Sequence, residues 1–295
     1  MSIPVKPSRS EFVTLRKLRT HVRQWGSEGA PKLFMLHGWM DVAASFQFVV
    51  DCLTRDWHVI APDWRGFGLT ERVNGDCYWF ADYLGDLDAL LDHYAKDEAV
   101  HLLGHSMGGN VAAIYAGVRP QRIEKLINLE GFGLPATRPE QAPRRYAQWL
   151  DELRTPPQMR PYATQEDVAA RLKKNNPRMT DERAHFLAGH WAAQNSQGQW
   201  DILGDPAHKI TSATLYRVDE ITACWAEITA PVLWVEADDT DIWRWMGPKE
   251  TARVEIDRRK AFIRNVRTEI IRDAGHMLHH DQPQALACVI EDFLG

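Results

Sequence analysis

The sequence predicts an α/β protein, a mostly parallel and doubly wound sheet with an inserted helical lid. Three observations lead there. Short apolar runs of strand type alternate with helical patterns over the first 130 residues and again near the C-terminus, the order of a parallel sheet covered on both faces. At Gly104-His105-Ser106-Met107-Gly108-Gly109 an apolar run passes into an Ala-rich helical pattern with almost no loop between them. From about Gly131 to Thr229 the alternation stops and helix formers take over. The predicted organisation is a core of residues 1–130 and 230–295, interrupted by a helical lid over residues 131–229.

Taken in order, residues 11–25 (EFVTLRKLRTHVRQW) predict two short strands joined by a tight turn. Leu33-Phe34-Met35-Leu36 is an apolar run of buried, parallel type that ends at His37-Gly38-Trp39-Met40-Asp41. A helix follows over about Ala44 to Leu53, then a strand at His58-Val59-Ile60-Ala61 that stops at Pro62-Asp63. Leu84, Leu87, Leu90 and Leu91 share one face of a helix expected from about Trp79 to Tyr94. The strand at 99–103 leads into Ser106 and its helix, and Lys125-Leu126-Ile127-Asn128-Leu129 forms the next strand, ending at Glu130-Gly131. In the inserted region PEQAPRRYAQWLDELR, TQEDVAARLKKNN and TDERAHFLAGHWAAQ read as helices, with helix starts near Thr164 and Asp181. A stretch of this length is too long for a connector in a compact domain. The sheet resumes at Pro231-Val232-Leu233-Trp234-Val235 and Val266-Arg267-Thr268-Glu269-Ile270-Ile271, and a helix from about Gln284 to Phe293 closes the chain.

Composition narrows the function classes. An apolar fraction of 44% and a charged fraction of 25% are those of a soluble globular protein with a sizeable core. A net charge of −5, with Lys and Arg not gathered into a run, argues against a nucleic-acid partner. The start MSIPVKPSRSEF has no apolar h-region, and no window approaches the roughly 18 uncharged apolar residues of a membrane span, so neither leader nor membrane association is expected. Cys52, Cys77, Cys224 and Cys288 show no metal or disulfide spacing and read as reduced thiols of a cytoplasmic protein.

The chemistry centres on Ser106. A strand that enters a helix directly needs a sharp turn, which strains the serine and lifts its hydroxyl above the sheet. Gly104 and Gly108 remove the side chains that would collide there. The Met107 amide starts the helix and points at the space where an oxyanion would sit. The pattern G-x-S-x-G alone is a modest signal, since a chain this long matches it by chance about one time in ten at ordinary glycine usage. Its strand-to-helix context makes it specific. A phosphate-binding turn is the weaker reading, because neither G-x-x-x-x-G-K nor G-x-G-x-x-G is present. A general base is needed, and His276 directly follows the last strand at the same sheet edge, after Gly275. His279 and His280 lie further on, in the approach to the next helix.

His37-Gly38-Trp39, Asp63-Trp64-Arg65-Gly66-Phe67-Gly68, the G-H-S-M-G-G turn, the lid and the late Gly275-His276 together resemble the α/β-hydrolase family over nearly the full length. Within it the chain most resembles serine-hydrolase-like esterases. The resemblance implies Ser106 as nucleophile, His276 as base, and an oxyanion hole from the backbone amides of Trp39 and Met107. His37 and Asp63-Trp64-Arg65 would then tie loops at the sheet edge. The third member of the triad is left open. The family usually places its acid after the strand that follows the lid, where Asp238, Asp239 and Asp241 flank Thr240. A minority places it after the strand following the nucleophile helix, and here that residue is Glu130. A glutamate directly after an apolar strand is poorly explained as a solvated residue, so the reading leans to Glu130, then Asp239, with Asp241 or Asp238 behind.

The function expected from this is hydrolysis of an ester or thioester of a small, apolar substrate through an acyl-enzyme. No cofactor or metal is called for, and the chain is expected as a monomer or homodimer. Twelve tryptophans are present, and Trp149, Trp191, Trp200 and Trp225 of the lid with Trp39, Trp243 and Trp245 suggest an aromatic acyl pocket. Trp39, Phe132, Trp191 and Trp243 are the expected substrate contacts. A cofactor-independent dioxygenase of the same fold, using a His–acid dyad on a heteroaromatic substrate, is the alternative; a non-catalytic ligand receptor is a third. Haloalkane dehalogenase and epoxide hydrolase chemistry needs a carboxylate where Ser106 stands.

Overall fold

The computed structural model describes residues 4–295. The first strands are β1 (Ser8–Leu15) and β2 (Leu18–Trp25), a hairpin that begins three residues earlier than its sequence signal. Its two turn residues, Arg16 and Lys17, both take left-handed backbone (φ 47° and 67°), the geometry that matches a two-residue turn to twisted strands. Then come β3 (Lys32–Leu36), α1 (Gln47–Cys52) after a 3₁₀ turn at Ala43–Phe46, β4 (His58–Pro62) and α2 (Ala81–Ala95). The nucleophile strand β5 (Val100–His105) runs into α3 (Met107–Val118), followed by β6 (Ile123–Leu129). The inserted region holds α4 (Ala142–Arg154), α5 (Gln165–Asn175), α6 (Asp181–Trp191), a small hairpin of β7 (Ala192–Gln194) and β8 (Trp200–Ile202), and α7 (Val218–Ala226). The chain closes with β9 (Val232–Ala237), α8 (Trp243–Met246), α9 (Lys249–Lys260), β10 (Val266–Ile271), α10 (Leu278–Asp281) and α11 (Pro283–Leu294).

The eight-stranded sheet has the order β1-β2-β4-β3-β5-β6-β9-β10. The first three strands pair antiparallel and all later pairings are parallel. Successive side chains leave a strand on opposite faces, and the core divides accordingly. Phe34, Leu36, Leu102, Leu126, Val232 and Trp234 lie in one apolar cluster with α2, α3 and α7. Leu33, Met35, Leu103, Ile127, Leu233 and Val235 lie in the other with α1 and α11. Both faces are therefore covered, as strands apolar at every position require.

Much of the inserted region packs on itself. Val168, Leu172, Met179, Ala184, Leu187 and Ile202 form a third apolar cluster around α5, α6 and the β7–β8 hairpin. Thr164 caps α5 by accepting from the Asp167 amide at 3.1 Å. Gln197-Gly198-Gln199, a break between helices in the sequence, lies in the turn of the hairpin, with Gly198 at φ 78°. The last helix of the region behaves differently. Trp225 of α7 is 1% exposed and its ring lies 5.6 Å from that of Trp234 in β9, so α7 covers the sheet alongside α3 rather than the third cluster. Close packing there depends on Gly117, where an added Cβ would stand 1.8 Å from the Cys224 carbonyl oxygen.

The inserted region docks on the loop after β4. The Gly68 amide donates to the Leu203 carbonyl and the Asp205 amide to the Gly66 carbonyl, each at 2.8 Å. His208 fits between the rings of Phe67 and Tyr78, centroids 3.8 and 3.6 Å away. Its Nε2–H donates to the Arg65 carbonyl (3.0 Å) and its Nδ1 accepts from Tyr83 (3.3 Å), so the neutral ring satisfies both nitrogens. Burial pushes its pKa down to about 4.

Two outcomes follow from this packing. Gly117→Ala, by driving α7 off α3, should cost about 2 kcal/mol or more in a urea titration; an unchanged midpoint would remove α7 from the core. Because His208 titrates lower in the folded chain than in the unfolded one, the unfolded chain binds the extra proton between about pH 6.5 and about pH 4, and stability falls as pH drops through that window. His208→Phe keeps the stack without the titration, so its urea midpoint should fall less than the wild type's between pH 7 and pH 5. Equal falls would show that His208 does not carry the effect.

Candidate active site

The C-terminal ends of β3, β5, β6, β9 and β10 meet around Ser106. The serine holds φ 51° and ψ −114°, the strained left-handed backbone expected of a residue squeezed between strand and helix. Gly104 and Gly108 make the turn possible: a Cβ on Gly108 would lie 2.2 Å from the Leu36 carbonyl oxygen, and one on Gly104 would lie 2.3 Å from the Gly108 carbonyl oxygen. The strain is fixed by the sheet, because the Ser106 amide donates to the Leu129 carbonyl (2.8 Å) and its own carbonyl accepts from Asn110 (3.0 Å).

His276 stands in the turn between β10 and α10. Its Nε2 lies 3.0 Å from the Ser106 hydroxyl oxygen, and its Nδ1 lies 3.2 Å from Glu130 Oε2. Glu130 follows β6 directly, again with left-handed backbone (φ 55°), and its amide extends the ladder to the Val235 carbonyl at 3.0 Å. Its side chain is fully buried. The other carboxylate oxygen, Oε1, accepts from the Ala237 amide (2.7 Å), and Thr240 donates its hydroxyl to Oε2, the oxygen that faces His276. Burial pushes the Glu130 carboxyl above its ordinary range, against the opposing pull of His276, Thr240 and Ala237.

The aspartates after β9 sit elsewhere. Asp239 is largely exposed and holds Arg178 at 2.6 Å, Asp241 pairs with Arg244 at 3.0 Å, and Asp238 accepts from the Ala274 amide at 3.2 Å. Of the four carboxylates weighed from sequence, Glu130 is the one brought to His276.

Two backbone amides border the serine. Met107 is the first residue of α3, where helix N–H groups have no intrahelical acceptor and the helix dipole is positive. Gly38-Trp39 passes over the serine closely enough that a Cβ on Gly38 would stand 3.2 Å from Ser106 Cβ. The loops behind are tied as the sequence suggests. His37 accepts the Trp64 amide at Nε2 (2.9 Å), and Asp63 accepts from Ala43 (2.7 Å), Leu69 (2.9 Å) and His21 (2.7 Å).

The expected substrate contacts separate. Trp39 is 51% exposed beside the serine. Trp191 donates its indole N–H to the Met40 carbonyl (2.7 Å) on the same loop. Trp243, in α8, packs partly buried against the first core cluster, under Lys249. Phe132 is 2% exposed against Trp234, and Trp225 beside it is equally enclosed, so these rings are core. Trp245 instead places its ring 5.1 Å from that of His276, edge to face. Two further neighbours lie inside the sequence motifs without a role assigned to them there. Thr240 is one. His105 is the other, a buried residue that donates from Nε2 to the His276 carbonyl at 2.8 Å and so helps to hold the turn that carries it.

A family model described as alpha/beta hydrolase fold matches residues 31–283. Among curated proteins, the chain is similar to the serine hydrolase-like protein of Danio rerio, at 27% identity over 98% of this chain and 90% of that one. It is also similar to serine hydrolase-like protein 2 of Homo sapiens, at 24% identity over 92% and 89%. Among solved structures, it is similar to the thioesterase domain from the curacin biosynthetic pathway, with a TM-score of 0.85 and 23% identity over 97% and 99% of the two chains. An esterase from Mycobacterium tuberculosis matches with a TM-score of 0.72 and 19% identity over 98% and 91%. At these identities the structural likenesses speak to the fold.

The contact between His276 and Glu130 has a direct readout. A proton on Nδ1 shared with a buried carboxylate resonates far downfield in the ¹H NMR spectrum. The signal should be present in the wild type and in Asp239→Asn, shifted in Thr240→Val, and lost in Glu130→Gln. Its loss in Asp239→Asn with retention in Glu130→Gln would place the carboxylate partner after β9 instead.

Proposed function

The chain belongs to the α/β-hydrolase fold family, and on that basis we propose that it is a serine hydrolase that cleaves an ester or thioester through an acyl-enzyme. The observation that carries the reading is the 3.0 Å contact from Ser106 to His276, continued at 3.2 Å to a buried carboxylate. His276 Nε2 takes the Ser106 proton as Oγ bonds to the substrate carbonyl carbon. The Met107 and Trp39 amides receive the negative charge that develops on the carbonyl oxygen. The tetrahedral adduct collapses, the bond to the alcohol or thiol breaks, and His276 hands its proton to that leaving group. Water then repeats the sequence on the acyl-serine, releasing the acid and restoring Oγ–H. Glu130 holds the imidazole in the tautomer with Nδ1–H and stabilises the imidazolium in both steps.

Of residues 131–229, expected as the lid, Phe132 and α7 join the core, so residues 134–217 act in this proposal as the lid, and the substrate is small and largely apolar, received by Trp39, Trp245, Trp191 and Trp243. The thioesterase and esterase among the structural neighbours support the two bond types without choosing between them. A dioxygenase that uses His276 on a bound heteroaromatic would want Nε2 facing its substrate; a serine hydroxyl already in hydrogen-bond reach of that nitrogen favours acyl transfer.

The test combines a label with kinetics. A fluorophosphonate should modify Ser106, located by mass spectrometry, and the adduct should vanish in Ser106→Ala. With p-nitrophenyl esters of graded chain length, Glu130→Gln should lower kcat by about a thousandfold or more with KM little changed, whereas Asp239→Asn should lose less than about fivefold. Labelling that survives Ser106→Ala, or full turnover in Glu130→Gln, would overturn the assignment.

A further inference from the structure

A second group of side chains gathers where the loop after β3 meets α10, with the His279 ring 4.3 Å from that of His105. Asp41, His279 and His280 are 7%, 0% and 2% exposed. One carboxylate oxygen and one nitrogen from each ring all lie within 4.8 Å of one another. Ser45 lies among them and donates its hydroxyl to Asp41 Oδ2 at 2.8 Å. His279 Nε2 stands 3.6 Å from Asp41 Oδ2 and 3.5 Å from the Ser45 oxygen. These two separations are long for hydrogen bonds. They are the separations of neighbouring ligands on one ion, since two bonds of about 2.1 Å at the tetrahedral angle set their donor atoms about 3.4 Å apart.

His280 supplies the independent observation. Neither of its ring nitrogens has a hydrogen-bond partner among the described residues, nor has His279 Nδ1. Buried imidazole nitrogens left unpaired carry an uncompensated desolvation cost, and the great majority of such groups are satisfied. In the neutral ring one of these nitrogens carries a lone pair, and no protein donor among the described residues meets it. Two imidazoles and a carboxylate suit a borderline divalent ion better than calcium or magnesium, which prefer all-oxygen shells.

We propose that Asp41, His279 and His280, with Ser45 beside them, bind a divalent transition-metal ion of the zinc class. Asp41 supplies the negative charge and the two rings bind as neutral ligands. Arg183 of α6, which donates to the His280 carbonyl, is the nearby cation that works against the ion. The site lies apart from the proton relay, because His276 points its two nitrogens at Ser106 and Glu130. It would cross-link the loop that carries Trp39 to the helix that follows His276.

The experiment uses the full chain, stripped with a chelator, loaded with Zn²⁺ or Co²⁺ and gel-filtered. Wild type and Ser106→Ala should each retain about one Zn²⁺ per chain with Kd below about 1 µM, and Co²⁺ should give the visible bands of a four-coordinate site. His280→Gln and Asp41→Asn, checked for folding by circular dichroism, should each weaken binding by about 100-fold or more. X-ray absorption at the zinc edge of the wild type reads the same site without a variant, and should show two imidazoles in the first shell. No retained metal, unchanged affinity in both folded variants, or a first shell lacking two imidazoles would overturn the proposal. Loss of fluorophosphonate labelling with metal binding intact would count against the hydrolase reading alone.

Discussion

Just past the ends of β5 and β6 the parallel ladder continues for one more hydrogen bond on each strand. The Ser106 amide reaches the Leu129 carbonyl, and the Glu130 amide reaches the Val235 carbonyl. Both residues then leave the sheet through left-handed backbone, at φ 51° and 55°. A non-glycine residue adopts that conformation at a cost, and it persists only where the surroundings over-determine it. Here the surroundings are the sheet itself, buried on both faces. The same backbone bonds that close the β-ladder therefore set the distance between a hydroxyl and a carboxylate, and leave the gap that His276 fills from the end of β10.

The carboxylate in that gap is held against its own solvation. Glu130 is buried, which raises the free energy of its charged form, and three donors oppose that effect, one at the end of β9, one in the loop after it and one on the histidine. In so low a dielectric the charge acts on the imidazole with little screening. The inserted region contributes from outside. Asn176 donates to Asp281, Arg183 to the His280 carbonyl, and Arg178 bridges Asp239 and Asp273. The contacts to Asp273, His280 and Asp281 fall on the segments before and after His276, and that to Asp239 on the loop after β9, so the inserted helices and the segments that hold the histidine are tied together.

Much of this was legible in the residues. Alternation of apolar runs with amphipathic ones predicts the parallel core, and the strand-to-helix turn at Ser106 marks the sheet edge where the candidate site gathers. What single-sequence reading left open has a common physical origin. The strands β6 and β9 are neighbours, with Leu129 opposite Val235, so carboxylates after either one reach the same sheet edge. The choice is made by contacts that no local pattern encodes: Thr240 turned toward Glu130, and Arg178, some sixty positions upstream, drawing Asp239 outward. Tryptophan content predicts aromatic surface without placing it, and Trp225 and Phe132 are enclosed by Trp234 while Trp245 meets His276. Helix α7 carries helical periodicity alone, which separates neither core from insertion; Gly117 against Cys224 does. The β7–β8 hairpin has three residues per strand, too short for a period-two signal to register.

Thr240 also ties the histidine to a second strand. It donates to the Glu130 carboxylate from the loop after β9, while the Ala237 amide at the end of β9 holds the other oxygen. The carboxylate that leaves β6 is therefore fastened to β9, and any shift of one strand end against the other would reach His276 through it.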